Sequence, residues 1–394
     1  MDSSVRTKSI ISQRVEQVPP SGIRKFFELL TNMEGVISLG IGEPDYATPW
    51  HISEAAVYSL ERGYTMYTSN SGMLELRQEI ANYIRKHHGI DYNPETEILV
   101  TVGVSEALDL AMRAILNPGD QVIVPDPGYV AYSADVMLAG GEAVLVPITL
   151  ENEFKLRAQD VAKRITERTK AILFGYPANP TGAVMSRREL SQIADLAAKN
   201  DLLVVSDEVY GRLSYGVEHT CFATLPKMRE RTILMNGFSK AHAMTGWRLG
   251  YAAAPANIIA AMNKIHQYTI MCAPTMAQVA AIEALKSGEE EVEAMAADYD
   301  RRRRLMLKGL CNIGLSCFEP RGAFYCFPSI KSTGLSSEVF AERLLYEEKV
   351  AVVPGTAFGP NGEGHVRCCY ATSLTDIEEA LKRMGRFVEK VRKG

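Results

Sequence analysis

Three short apolar runs that each end in polar residues limit the fold of this chain more than any other feature. They are Thr169 to Phe174, Leu202 to Val205 and Thr232 to Met235. Each has the length and the β-branched content of a buried strand. Arg187 to Asn200, between the first two runs, has the period of an amphipathic helix. Because a strand, a helix and a strand in succession favour a parallel pair with a right-handed crossover, we predict a mostly parallel sheet.

Side chains that can carry chemistry follow each of these predicted strands. Asn179 follows the first, Asp207 and Tyr210 follow the second, and Lys240 follows the third. In open α/β sheets, ligands bind outside the carboxyl ends of the strands. If the three strands are parallel neighbours, these four side chains meet in one crevice.

An amine, a carboxylate, a phenol and an amide in one crevice suit the cofactor pyridoxal 5'-phosphate. This cofactor needs a lysine that holds it covalently and an acidic residue that keeps its ring nitrogen protonated. A loop lysine alone is more often a solvated cation, and an aspartate after a strand often caps a turn. The run before Asp207 is wholly apolar, however, and a carboxylate there needs a cation such as the protonated ring.

The chain resembles the class I pyridoxal-phosphate aminotransferases of fold type I, in the branch that contains prokaryotic aspartate and aromatic aminotransferases. Four motifs carry the resemblance: Pro177-Ala178-Asn179-Pro180-Thr181-Gly182, Ser206-Asp207-Glu208-Val209-Tyr210, Ser239-Lys240 followed by Arg248, and Val366-Arg367. The resemblance implies an α/β fold with a large domain, whose mostly parallel sheet is flanked by helices, and a smaller α/β domain from both chain ends. We predict an N-terminal arm and part of the small domain in 1–45, the large cofactor-binding domain in 46–288, and a connecting helix with the C-terminal small domain in 289–394.

The resemblance also implies a set of cofactor-binding residues. They are Tyr67, Gly103, Val104, Ser105, Tyr129, Asn179, Asp207, Tyr210, Ser239, Lys240 and Arg248. A glycine between a strand and a helix lets backbone N–H groups approach the phosphate, although a helix capped by Ser105 explains this loop equally well. Tyr129 offers a flat face for the pyridine ring. Tyr67 is expected to reach the site of a partner subunit, so a homodimer with shared active sites is implied.

Substrate binding is expected at Gly42, Tyr129, Asn179 and Arg367. An edge cation adds little to stability, whereas a guanidinium can hold a carboxylate through two hydrogen bonds. By resemblance, Arg367 binds the α-carboxylate of the amino acid, and the segment from Ser21 to Arg24 can cover the site. The Asn179-Pro180 bond is expected to be cis, as its counterpart is in relatives.

The implied reaction moves an amino group from an L-amino acid, of the aspartate or aromatic type, to a 2-oxo acid such as 2-oxoglutarate. The expected catalytic residues are Lys240, Asp207 and Tyr210. The Lys240 amine would move the Cα proton as general base and then as general acid. Because the two half-reactions alternate on one cofactor, ping-pong kinetics follow.

Other functions share part of this pattern. A lyase, racemase or decarboxylase with the same cofactor would use the same fold, since a fold does not determine the reaction. A non-catalytic regulator would normally carry an additional DNA-binding module.

Two positions depart from the family pattern: Gly237 replaces a phosphate-binding serine, and Ala178 replaces a common asparagine. No arginine can be assigned to a dicarboxylate side chain, so aspartate, aromatic and alanine-type donors all stay open.

Composition argues against other classes of partner and compartment. The net charge of −4 over 394 residues is spread without blocks, which argues against nucleic acid and anionic membranes. The seven cysteines show no C-x-x-C spacing, so neither a metal site nor disulfides are expected. The first residues lack an apolar signal region, and no stretch has the length of a membrane span. We therefore expect a cytoplasmic protein.

Overall fold

A computed structural model provides the fold and describes residues 10–20, 22 and 33–393. From the sequence we also predict a short helix from Ile23 to Met33. That helix and the segment from Ser21 to Arg24 lie outside the described residues, except for Gly22 and Met33. The helices are α1 (Gln13–Gln17), α2 (Trp50–Glu61), α3 (Leu74–His88), α4 (Gly103–Ile115), α5 (Ala131–Leu138), α6 (Ala158–Ala162), α7 (Arg187–Lys199), α8 (Ala256–Thr269), α9 (Thr275–Ser287), α10 (Glu289–Asn312), α11 (Ser337–Glu348) and α12 (Leu374–Lys393). The strands are β1 (Ile37–Ser38), β2 (Ile98–Thr101), β3 (Gln121–Asp126), β4 (Glu142–Pro147), β5 (Thr169–Gly175), β6 (Leu203–Asp207), β7 (Thr232–Gly237), β8 (Gly250–Ala253), β9 (Tyr325–Cys326), β10 (Val350–Ala351), β11 (Val353–Pro354) and β12 (Val366–Cys369). Single turns of 3-10 helix lie at Leu150–Asn152, Phe222–Thr224, Thr245–Trp247, Lys331–Thr333, Gly355–Phe358 and Pro360–Gly362.

A seven-stranded sheet in the order β2-β8-β7-β6-β5-β3-β4 carries the predicted crevice. The predicted parallel pairing of β5, β6 and β7 is confirmed, because Gly175 lies opposite Asp207 and Asp207 opposite Met235. β8 runs antiparallel to both β2 and β7. It lies outside the predicted strands because its sequence, Gly-Tyr-Ala-Ala, has little strand propensity and is extended only through pairing on both sides.

Helices cover both faces of this sheet. In β5, Ala171 and Leu173 pack into an apolar cluster with α4 and α8, whereas Ile172 and Phe174 pack into another with α7. Alternate residues of a strand point to opposite faces, so a strand between two helical layers is apolar throughout. The predicted α/β fold with a mostly parallel sheet between helices is confirmed.

Two smaller sheets join the ends of the chain. β1 pairs in parallel with β10, and β12 lies between β11 and β9, antiparallel to both. From its apolar sequence we predict one strand from Ala351 to Val353, but Ala351 ends β10 and Val353 begins β11. Arg367 lies on β12, the middle strand of its sheet and not an edge. The N-terminal and C-terminal parts of the chain thus share β-structure. The division into 1–45, 46–288 and 289–394 stays a prediction.

Local sequence signals explain where several helices begin and end. The Ser186 hydroxyl accepts the Glu189 N–H at 3.3 Å and the Glu189 carboxylate accepts the Ser186 N–H at 2.8 Å, so a capping box begins α7. Gly89, with φ of 68°, ends α3 in the left-handed conformation that glycine adopts at low cost. Among the described helices, none combines the length and the apolar character needed to cross a membrane.

Candidate active site

A cavity of about 700 Å³ lies at the carboxyl ends of β5, β6 and β7. The predicted residues that line it are Gly42, Val104, Ser105, Tyr129, Asn179, Asp207, Tyr210, Ser239, Lys240, Arg248 and Arg367. Two predicted residues are not in the wall: Gly103 lies directly behind Arg248, and Tyr67 lies elsewhere on the surface. The tertiary structure therefore brings together residues spread from position 42 to position 367.

Lys240 follows β7 and points into this cavity. Its amine donates a hydrogen bond to the Gly42 carbonyl at 2.6 Å. Burial lowers the pKa of Lys240 to about 8, and the neighbouring Arg367 acts in the same direction. An amine with this pKa is partly neutral near neutral pH, so it can attack a carbonyl carbon and exchange protons with a substrate.

Asp207 ends β6 with a buried carboxylate. The Tyr132 hydroxyl donates to its Oδ2 at 2.9 Å, and the Val209 N–H donates to its Oδ1 at 3.2 Å. Burial raises the pKa of Asp207 to about 6, although both hydrogen bonds oppose this shift. A carboxylate held in such a place gains most from a cationic partner, which a protonated ring nitrogen would provide.

The turn from β2 into α4 brings backbone N–H groups to the cavity. The helix begins at Gly103, so Ser105 lies inside its first turn and is not the N-cap. Gly103 has φ of 73°, and a β-carbon there would lie 2.6 Å from the Arg248 guanidinium. The positive φ favours glycine, and a side chain there would also push the Arg248 guanidinium out of its place. A helix start with N–H groups, a guanidinium and the nearby Ser239 hydroxyl is suited to a phosphate.

Glu106 in the first turn of α4 holds this turn in place. Its Oε2 accepts the Val102 N–H at 2.5 Å, and its Oε1 lies 2.6 Å from Nδ1 of the buried His266 on α8. Gly237 has a packing role nearby, because a β-carbon there would lie 2.9 Å from the Gly250 Cα. The absence of a serine at 237 is thus required by the close approach of β7 and β8.

Arg367 is 2% exposed but its guanidinium reaches the cavity wall. One terminal nitrogen donates to Asn179 Oδ1 at 2.8 Å and the other to the Gly40 carbonyl at 2.7 Å. Its Nε has no hydrogen-bond partner within the part of the chain that the structure describes. A buried guanidinium that contacts neutral oxygens has its charge available for a ligand carboxylate.

Two tyrosines at this site are absent from the predicted set. Tyr132 supports Asp207, and the Tyr325 hydroxyl lies 2.8 Å from that of Tyr210. A β-carbon at Gly42 would lie 2.5 Å from the Tyr325 hydroxyl, which explains the glycine there. Tyr132 lies three residues after Tyr129, which is almost one helical turn. This spacing could have indicated that Tyr132 lies at the site together with Tyr129. Tyr325 comes from β9 of another sheet, so no sequence signal near the motifs identifies it.

Tyr67 is 81% exposed and lies outside the cavity wall. Met66 and Tyr268 are also exposed large apolar residues. The predicted contact of Tyr67 with the cofactor therefore requires a second subunit and stays a prediction.

The Asn179-Pro180 bond is cis, as predicted.

The family model for class I and II aminotransferases matches residues 34–384 of this chain. The chain belongs to that family. It is 57% identical to a putative aminotransferase, YugH, of Bacillus subtilis over 97% of this chain and 99% of that protein. It is 47% identical to aromatic-amino-acid aminotransferase 2 of Thermococcus litoralis over 96% of this chain and 98% of that protein.

The fold is equally similar to solved aminotransferases. The aspartate aminotransferase of Thermus thermophilus with maleate has a TM-score of 0.92 at 41% identity, covering 96% of this chain and all of that chain. The predicted family and the predicted aminotransferase activity are thus confirmed. These relatives give no support to a lyase, racemase, decarboxylase or regulator. Aminotransferases of this family are pyridoxal-phosphate enzymes.

Proposed function

We propose that this aminotransferase uses pyridoxal phosphate to move amino groups from L-amino acids of the aspartate or aromatic type to a 2-oxo acid such as 2-oxoglutarate. The observation that carries the proposal is the convergence of Lys240, Asp207 and Arg367 on one cavity. The aromatic-amino-acid enzyme of Thermococcus litoralis and the aspartate enzyme of Thermus thermophilus support the two donor types.

The residues around the cavity fit this cofactor part by part. Bound pyridoxal phosphate would supply an aldehyde carbon that takes amino groups and a ring that accepts electrons from Cα. Lys240 would hold it covalently, and Asp207 would keep its ring nitrogen protonated. The residues assigned to its phosphate are Gly103, Val104, Ser105, Ser239, Arg248 and, from a partner subunit, Tyr67. Those assigned to its ring are Tyr129, Asn179 and Tyr210.

Arg367 and Lys240, in the same cavity, would bind the substrate and transfer its proton. Arg367 would bind the α-carboxylate, since its charge is buried and its contacts with Asn179 and Gly40 are to neutral oxygens. Lys240, with its lowered pKa, would remove the Cα proton and return it on the cofactor side. Gly42 would border the substrate without a side chain, since a β-carbon there would lie 2.5 Å from the Tyr325 hydroxyl and 3.5 Å from the Arg367 guanidinium.

We also infer a cytoplasmic homodimer with shared active sites. The exposed apolar side chains of Met66 and Tyr67, adjacent in the chain, support a subunit interface there. The cytoplasmic location is supported by seven cysteines that are all free thiols, four of them buried.

The test is the absorbance spectrum of the purified protein before and after single amino acids are added without an acceptor. We expect a visible band from the lysine-bound cofactor, and its conversion to a near-ultraviolet band with aspartate or aromatic donors. Lys240→Ala should abolish the band, whereas Lys286→Ala, at a surface lysine paired with Glu75, should retain it. A band that no donor converts, with release of ammonia or CO₂, would contradict amino transfer. No band after added pyridoxal phosphate would contradict the cofactor assignment.

A further inference from the structure

A second cluster of ligating side chains lies outside the active-site cavity. His88 at the end of α3, Glu208 directly after β6 and Cys221 have ligand atoms that all lie within 4.8 Å of one another. Glu208 is 1% exposed and Cys221 is 2% exposed. The three residues come from distant parts of the chain, which is why their spacing in the sequence does not indicate a metal site.

His219 extends this cluster. Its Nε2 lies 2.8 Å from Glu208 Oε2, and its ring centre lies 6.0 Å from that of His88. Two imidazoles, a thiol and a carboxylate form a mixed nitrogen, sulfur and oxygen set. Zinc and similar divalent ions prefer such a set, whereas magnesium and calcium prefer oxygen alone.

The carboxylate of Glu208 is held in one orientation and keeps capacity for a further partner. Its Oε1 accepts two hydrogen bonds, from the Ser206 hydroxyl at 2.9 Å and from the Phe222 N–H at 2.9 Å. Its Oε2 lies 2.8 Å from Nε2 of His219. A carboxylate oxygen has two acceptor positions, so Oε2 can also bind an ion. Hydrogen bonds of this kind orient the ligands of metal sites.

The cluster is reached from a second cavity, of about 840 Å³. His88, His219 and Cys221 line it, together with His87. This cavity shares no lining residue with the one around Lys240. A hydrated ion therefore has a route to the cluster that does not pass through the active site.

We propose that His88, Glu208 and Cys221, together with His219, bind one divalent ion of the zinc type. On binding, the sulfur of Cys221 loses its proton to solvent and forms a bond to the ion. The thiolate and the carboxylate then supply two negative charges, which balance the ion, while both imidazoles bind as neutral ligands. The site lies next to Asp207 in sequence but outside its cavity, so the ion joins α3, β6 and the segment around Cys221 and takes no part in amino transfer.

The experiment uses the full chain with its cofactor, first treated with a chelator and then titrated with Zn²⁺ or Co²⁺. We expect one ion per chain and, with Co²⁺, a thiolate-to-cobalt charge-transfer band. His88→Gln and Cys221→Ser should each weaken binding about tenfold or more. Two matched controls should bind like the wild type: His87→Gln, on the same cavity wall, and Cys311→Ser, at an exposed thiol.

Three results would overturn the proposal. The first is that His88→Gln and His87→Gln bind the ion equally well. The second is a cobalt spectrum of the wild type without a thiolate band. The third is that the wild type binds no more ion than Cys221→Ser does. The visible cofactor band and the melting temperature report whether each variant is folded. The cobalt spectrum of the wild type tests the site even if a variant does not fold.

Discussion

Lys240 shows how its surroundings determine the chemistry of one residue. We predict that Arg367→Gln raises the pKa of Lys240 above about 8, because a neighbouring positive charge is removed. The rate at which a lysine reagent labels Lys240 in cofactor-free protein, followed against pH, measures this pKa. Arg321→Gln, at an exposed arginine on the other cavity, is the control and should leave the midpoint unchanged. An unchanged or lower midpoint in Arg367→Gln would contradict the assigned contact.

The same pKa has a consequence for the free energy of unfolding. The pKa of Lys240 falls from 10.5 to about 8 on folding, so the unfolded chain binds more protons between these pH values. In cofactor-free protein, this group therefore makes the free energy of unfolding increase as pH rises through that window.

Tyr132 supports the carboxylate that would face the cofactor ring. We predict that Tyr132→Phe weakens cofactor binding, because Asp207 loses its hydrogen bond at 2.9 Å. A hydrogen bond to a charged group contributes about 1.5–3 kcal/mol, so we expect a loss of about tenfold or more. Equilibrium dialysis of pyridoxal phosphate measures the change. Tyr92→Phe is the control, since its buried hydroxyl has no partner within the described residues, and equal losses in both variants would contradict the role of Tyr132.

Elements determine the site through their ends. β5, β6 and β7 were predictable because each is a short apolar run, and parallel pairing brings their carboxyl ends to one edge. β8 was not predictable, because the segment Gly-Tyr-Ala-Ala becomes a strand only by pairing with β2 and β7. The N-cap of α4, which the sequence allowed at Ser105, lies three residues earlier, at Val102. Gly103 begins the helix at positive φ and packs against the guanidinium of Arg248, a contact with a residue far along the chain that no local pattern indicates.

The turn into α4 provides a prediction with a matched control. Gly103→Ala and Gly89→Ala both put a β-carbon at positive φ, 73° and 68°, and should each cost about 1–2 kcal/mol of stability. Only Gly103→Ala also meets Arg248, while the space around Gly89 is open. Denaturant unfolding should therefore give similar losses, but binding of pyridoxal phosphate should weaken in Gly103→Ala alone. Equal cofactor binding by the two variants would contradict the phosphate site.

The proposed dimer can be tested on the whole molecule by subunit complementation. Lys240→Ala and Tyr67→Ala should each have low activity as homodimers. When the two are mixed and allowed to exchange subunits, each heterodimer has one site with both Lys240 and the partner's Tyr67. We expect activity to rise to as much as a quarter of the wild-type value in an equimolar mixture. No recovery, although native mass spectrometry shows mixed dimers, would mean that Tyr67 serves its own subunit.

By itself the sequence determined the strand and helix pattern of the large sheet, and with it the meeting of Asn179, Asp207, Tyr210 and Lys240. Apolar period and chain order are local, and parallel pairing converts them into one shared edge. Only the tertiary structure decided which other residues pack around these four. Tyr132, Tyr325, the buried position of Arg367 and the cluster of His88, Glu208 and Cys221 all depend on contacts between elements far apart in the chain. Such contacts form when elements pack together in the folded chain, and the spacing of residues along the sequence does not indicate them.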